Sequence, residues 1–197
     1  MRKKSHWHLA DYLMRDNERP AIEFMFKVGS VAPDFMIRSM IRGHSYDSTT
    51  QRVERRLEKL EEKGCWNLVS AYRLGYVTHY LADYFTAPHN THGEFGFRDH
   101  CSFEKQQLRL LRSQLDGQWG APIQYENHAD VMNYLKAVHD EYLMQNPEVE
   151  TDCNYIVNVT EQVSYQMFSL FNQRQQELPY GTRKWHRYLK FRHHATM

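Results

Sequence analysis

Two histidine–carboxylate pairs are spaced four residues apart, His79 with Asp83 and His100 with Glu104, and His89 lies between them. Residues at i and i+4 share one face of a helix, so each pair presents an imidazole beside a carboxylate. The first pair sits in "LGYVTHYLADYF", one of the most apolar stretches of the chain. A buried imidazole next to a buried carboxylate is costly unless each is paired or holds a metal ion. Imidazole and carboxylate are the ligand types that suit zinc. One pair alone reads as readily as a structural hydrogen bond, because buried polar groups are generally satisfied. Two pairs bracketing a third histidine favour metal binding. Gly75 lies one turn before His79 on the same face, and a glycine inside a helix has a packing reason. It either lets another helix come close or lets a ligand approach the metal face.

Such ligands need rigid helices to hold them, and the pattern is helical almost throughout. Residues 6–16 place Leu9, Tyr12 and Leu13 on one face, with Ser5 as the expected N-cap. Residues 19–28 form a second helix with Pro20 in its first turn, and Gly29 and Pro33 are expected to break it. Residues 50–63 carry Val53, Leu57 and Leu60 on one stripe, with a solvated charged face opposite. Residues 65–86 form the central helix, apolar on most sides (Leu68, Val69, Leu74, Val77, Leu81) and stopped by Pro88. A loop, "HNTHGEFGFRD", leads to helices at about 100–116, 129–145 and 149–177. The expected architecture is an all-α, single-domain bundle of about six or seven helices. It covers residues 1–178, and a basic-aromatic tail or final helix covers 179–197.

The formal net charge of +1 argues for neither nucleic acid nor a strongly acidic substrate. "MRKK" is followed by a stretch too polar for a signal peptide, and no apolar run is long enough to span a membrane. The three cysteines, Cys65, Cys101 and Cys153, are too few and too far apart for a disulfide framework, and they fit a reducing cytoplasm. No Gly-rich phosphate loop and no Ser-His-Asp arrangement is present.

"LGYVTHYLADYFTAPH" followed by "HCSFE" resembles the signature of the zinc-dependent phospholipase C family, whose fold is shared by fungal single-strand nucleases. Gly75, His79, Tyr80, Leu81, Asp83, His89, His100 and Glu104 satisfy that signature. Upstream, "SHWHLADYLM" resembles the segment supplying an early histidine ligand, here His6. "APDF" resembles the loop supplying an aspartate, Asp34, and "GHSYD" the segment supplying His44. The resemblance implies a helical bundle holding up to three zinc ions. One ion would take His44, His79 and Asp83. A second would take Asp34, His89, His100 and Glu104. A third would use His6 and share Asp83 as a bridge. In the secreted relatives an N-terminal tryptophan far upstream gives its amine and carbonyl to the third metal. Only five residues precede His6 here, so those two ligands are expected to be missing, and His8 faces another side of the helix.

The resemblance further implies a hydrolase acting on a phosphodiester, such as a phospholipid, through metal-activated water, with Asp34 as ligand and proton acceptor. A single-strand nuclease or phosphomonoesterase on the same fold is the nearest alternative. A helical protein whose metals serve only stability belongs to another class. Phe35 either faces the cleft, to pack on a head group or base, or belongs to the core. The tail "RKWHRYLKFRHH" suits peripheral contact with an anionic membrane surface, less so single-stranded nucleic acid, or packs back on the bundle. His92 and Cys101 read as loop or packing residues, and His128, His139, His186, His193 and His194 as surface residues.

Overall fold

The structure, a computed structural model, describes residues 1–36, 45–90, 96–116, 130–146 and 148–177. Among these residues there are no strands, and the chain is an all-α bundle of eight α-helices and one 3-10 turn. The helices are α1 (Lys3–Leu13), α2 (Pro20–Val31), α3 (Tyr46–Lys63), α4 (Leu68–Tyr84), α5 (Ala87–Asn90), α6 (Phe97–Asp116), α7 (Val131–Leu143) and α8 (Val149–Glu177). The 3-10 turn, Ala32–Phe35, follows α2 directly. The expected tail at 179–197 lies outside the described residues, as do His44, His92, His128, His186, His193 and His194.

α4 runs through the middle. The Asn67 side chain caps its first turn by accepting from the Ser70 N–H at 2.8 Å. From Leu74 to Tyr84 every residue is buried, as expected for a helix with neighbours on all sides. Leu68 and Val69 depart from the expected core, at 48 % and 57 % exposed. They sit in the first turn, ahead of the unbroken buried run that begins at Leu74.

The closest partner of α4 is α2, and two glycines make that approach possible. A Cβ on Gly75 would collide with the Phe26 carbonyl, and one on Gly29 with the Tyr72 carbonyl. Each helix therefore lays bare backbone against the other. Gly29 thus does not break α2, which continues to Val31, because it serves packing and not a turn. For Gly75 the packing reading holds, and the intruding group is a helix backbone.

Several other boundaries shift. α1 begins at Lys3, its cap is Arg2, and Ser5 is buried one turn in, its N–H donating to the Arg2 carbonyl at 2.8 Å. Pro88 does not stop α4, which ends at Tyr84. It lies inside α5, near the start where no N–H is needed. α3 starts at Tyr46, and residues 97–99 of the expected loop are already helical in α6. His139 is buried, not superficial. Its ring stacks on Tyr46 at 4.0 Å, and its Nε2 lies 3.1 Å from Asn90 Oδ1. Cys65, Cys101 and Cys153 are free thiols.

Candidate metal centre

Five elements converge on Asp83. α1 supplies His6, the 3-10 turn Asp34, α4 His79 and Asp83 itself, α5 His89, and α6 His100 and Glu104. Asp83 is 1 % exposed. Its Oδ1 lies 3.4 Å from His6 Nε2 and 3.5 Å from His89 Nδ1, and its Oδ2 lies 3.2 Å from His79 Nε2. Ligand atoms of His6, Asp34 and His79 come within 4.8 Å of one another, and so do those of His89, His100 and Glu104. Asp83 touches both triads. Asp34 therefore gathers with His6 and His79, whereas the resemblance groups it with His89, His100 and Glu104.

The close approach of α2 fixes the His79 ring. The Ser30 carbonyl, one residue past Gly29, lies 2.8 Å from His79 Nδ1. A carbonyl only accepts, so Nδ1 donates to it and Nε2 is turned toward Asp83, an arrangement typical of metal-ligating histidines. Nε2 then lies 3.2 Å from a carboxylate oxygen of Asp83, a separation that a shared cation would bridge. Two ligands on one tetrahedral zinc sit about 3.3 Å apart, from metal–ligand distances of about 2.0–2.1 Å. His100 Nε2 and Glu104 Oε1 show the same 3.2 Å separation. His6 is 1 % exposed and neither ring nitrogen makes a hydrogen bond. A buried imidazole without partners is costly, and a cation would satisfy it. The donor set and its spacing fit zinc.

The amino group of Met1 is a feature sequence reasoning did not find. It is buried 2.8 Å from Asp83 Oδ1, 3.3 Å from Glu104 Oε1 and 3.3 Å from His89 Nε2. The segment ahead of His6 places the Met1 nitrogen beside Asp83. No local motif announces it, because the contact spans residues far apart in sequence.

Electrostatics agree. Burial alone would push the Asp83 carboxyl up. The Met1 ammonium, then His89, His79 and His6, outweigh burial and hold it well below the usual carboxylate range. Burial lowers His6 to about 3, helped by the neighbouring His79, whose ring stacks on it at 3.9 Å. His6 is therefore a neutral imidazole with lone-pair density available to a metal.

Accessibility is graded across the centre. His6, His79 and Asp83 are closed off, His89 and Glu104 are each 14 % exposed, and His100 is 34 % exposed. Beside His89 opens a cleft of about 300 Å³, walled by Tyr46, Asp47, Lys136, His139 and Asp140. Phe35 is 67 % exposed, with the Lys3 ammonium 4.0 Å above its ring, so it is not a core residue. His8 is engaged away from the centre, accepting from Arg112 at 2.7 Å.

The all-helical bundle clusters imidazoles and carboxylates, the candidate ligands of a metal ion, around a shared buried aspartate. The sequence profile of the family described as zinc dependent phospholipase C matches residues 5–148. The chain belongs to that family, and zinc dependence is the family's property. No curated protein and no solved structure matches the chain. Among the described residues no helix is long and apolar enough to cross a membrane.

Proposed function

We propose that the protein is a zinc-dependent phosphoester hydrolase of phospholipase C type, cleaving a phosphodiester such as that of a phospholipid. The observation that carries this reading is the pair of triads sharing Asp83, closed on the His79 side and open on the His89–His100 side. A structural zinc site has every position filled by protein, while a catalytic one keeps a position open. Zinc bound in such a centre polarises the phosphoryl group, makes water nucleophilic near neutral pH and stabilises the leaving oxygen. His6, Asp34 and His79 would hold one ion, and His89, His100 and Glu104 another, with Asp83 bridging. The Met1 nitrogen, when deprotonated, and His44 are further donors under this proposal. Asp34 is the proposed acceptor of the proton released as water attacks phosphorus. The substrate's non-reacting part would lie in the cleft beside His89, whose wall carries Lys136 together with the carboxylates of Asp47 and Asp140. Peripheral contact with a membrane surface through residues 179–197, beyond a domain spanning 1–178, belongs to the same proposal. So does a cytoplasmic setting, which the three free thiols support.

The test is zinc-reconstituted protein assayed against phospholipids, phosphomonoesters and single-stranded nucleic acid. Turnover is expected on a phospholipid. Turnover only on nucleic acid or on monoesters would transfer the assignment to those substrates, and bound zinc without any turnover would favour a non-catalytic role. Zinc content of zero after reconstitution would overturn the centre itself. Asp34→Asn is expected to lower kcat by at least about a hundredfold while zinc is retained, the scale of losing a general base. Near-normal kcat at full zinc occupancy would remove Asp34 from the chemistry.

A further inference from the structure

Asp152, on α8, is fully buried and lies outside the segment that the family match covers. Its carboxylate receives three hydrogen bonds. Oδ2 accepts from the Ala87 backbone N–H at 2.9 Å and from the Gln107 side-chain amide at 3.2 Å, and Oδ1 accepts from the Tyr142 hydroxyl at 2.7 Å. Ala87 opens α5, the single turn that carries His89. Gln107 stands on α6, one turn beyond Glu104, and donates a second hydrogen bond to Thr86 Oγ1 at 3.3 Å. One carboxylate on α8 is thus joined to the two elements that carry the second triad.

α5 has four residues. A helix this short does not hold its own position, because forming its first turn is unfavourable in isolation. Outside groups must set it. Asp152 fixes its start. Its end is fixed by Asn90, whose Nδ2 donates to the Tyr84 and Thr86 carbonyls at 2.8 and 3.1 Å and whose Oδ1 meets His139.

We infer that Asp152 is a positioning residue. It locks the α5 turn to α6 so that His89 faces His100 and Glu104 at ligating distance. The inference rests on the metal-centre reading for its purpose, but the lock itself can be tested without metal. In its ionised form a carboxylate suits the position because it then only accepts, and all three neighbours donate. An amide of the same shape turns an N–H₂ toward at least one of those donors.

The experiment uses the full chain with Asp152→Asn, and Gln107→Leu as a milder variant that removes only the α6 arm. In metal-free protein, amide hydrogen exchange is followed at residues 86–90 and in α1. Exchange at 86–90 is expected to rise at least about tenfold in Asp152→Asn, with α1 unchanged, because local opening is governed by local contacts. In zinc competition titrations, the equivalent lost in His89→Ala is expected to bind at least about tenfold more weakly in either variant, the usual scale for partners that orient ligands. The other equivalent should hold. Unchanged exchange at 86–90, or equal weakening of both equivalents, would overturn the positioning role. If the unaltered protein binds no zinc, the proposed function fails while the exchange result still decides the lock. If Asp152→Asn does not fold, Gln107→Leu decides both measurements.

Discussion

Asp83 and Asp152 are the two most deeply buried carboxylates in the described structure, and they stand on either side of the α5 turn. Their neighbours are of opposite kinds. Asp83 faces an ammonium and three imidazoles, and these hold its carboxyl well below the usual range against the opposing effect of burial. Asp152 faces a backbone N–H, a side-chain amide and a phenol. Burial dominates there and raises it to about 7. The Ala87 N–H, Tyr142, the more distant Met1 ammonium and Gln107 offset that only in part. Burial by itself therefore does not mark a site. The charge character of the surroundings separates a place built for a cation from a place built to hold helices together.

The largest expected effect comes from removing the negative charge at the first of these positions. Asp83→Asn should weaken both zinc equivalents together, each by at least about a hundredfold, because Asp83 touches both triads and ligand loss at a metal site is a loss of binding free energy. Without metal, the Met1 ammonium would keep Glu104 at 3.3 Å and the weaker influence of Asp34. Breaking such a buried pair should destabilise the fold by about 3–5 kcal/mol. Elemental analysis after dialysis and thermal unfolding in chelator check the two parts. One equivalent surviving at its original affinity would show that Asp83 serves a single triad, and the contrast with Asp152 would lose its basis.

A smaller effect should follow from the helix contact that orients His79. Gly75→Ala places a methyl group against the Phe26 carbonyl. Overpacking of this kind costs about 1–3 kcal/mol. Pushing α2 away also carries the Ser30 carbonyl off His79 Nδ1, so the triad of His6, Asp34 and His79 should bind zinc more weakly than the triad of His89, His100 and Glu104. Denaturation in chelator and stepwise zinc titration measure the two consequences. Destabilisation without any difference between the triads would separate the glycine contact from the metal centre.

The sequence made one side of this contrast readable and hid the other. His79–Asp83 and His100–Glu104 are local pairs on single helices, so spacing alone brings them together. Gly75 was legible as a packing anomaly, though its partner Gly29 read as a break because nothing local tells a packing glycine from a terminating one. Asp34 and His6 came from resemblance, and their placement with His79 depends on how α1 and the 3-10 turn cross α4. The Ser30 carbonyl leaves no side-chain signature. The Met1 nitrogen and the Asp152 lock depend on contacts between residues distant in the chain. His139 read as a surface residue because its partners, Tyr46 and Asn90, come from two other helices. Among the described residues the all-α class followed from periodicity. The boundaries moved where tertiary contact, as at Arg2 and Tyr46, extended a helix beyond its apolar pattern.

The smallest effect, and the sharpest comparison, is in pH. For Asp83 the folded pKa is depressed, so its contribution to stability is present above about pH 3.9, the unfolded value, and is lost as pH falls through the lower folded value. Asp152 has the opposite sign. Its folded pKa is raised to about 7, so the native state holds that proton more tightly than the unfolded chain does. The associated stability is full below about pH 3.9 and is lost as pH rises toward and through 7. Asp152→Asn removes this group and leaves Asp83 untouched. In chelator, the denaturation midpoint of the unaltered protein minus that of Asp152→Asn should therefore fall between about pH 4 and pH 7 and level off above it. Metal must be absent, because bound zinc would change the field from the Asp83 side. Three donors around Asp152 pull the other way, and if they prevailed the folded pKa would lie at or below the unfolded value and the difference would stay flat from about pH 4 to pH 7. A difference flat across that window would make Asp152 a permanently ionised acceptor, electrostatically like Asp83, and would leave only their partners to tell the two carboxylates apart.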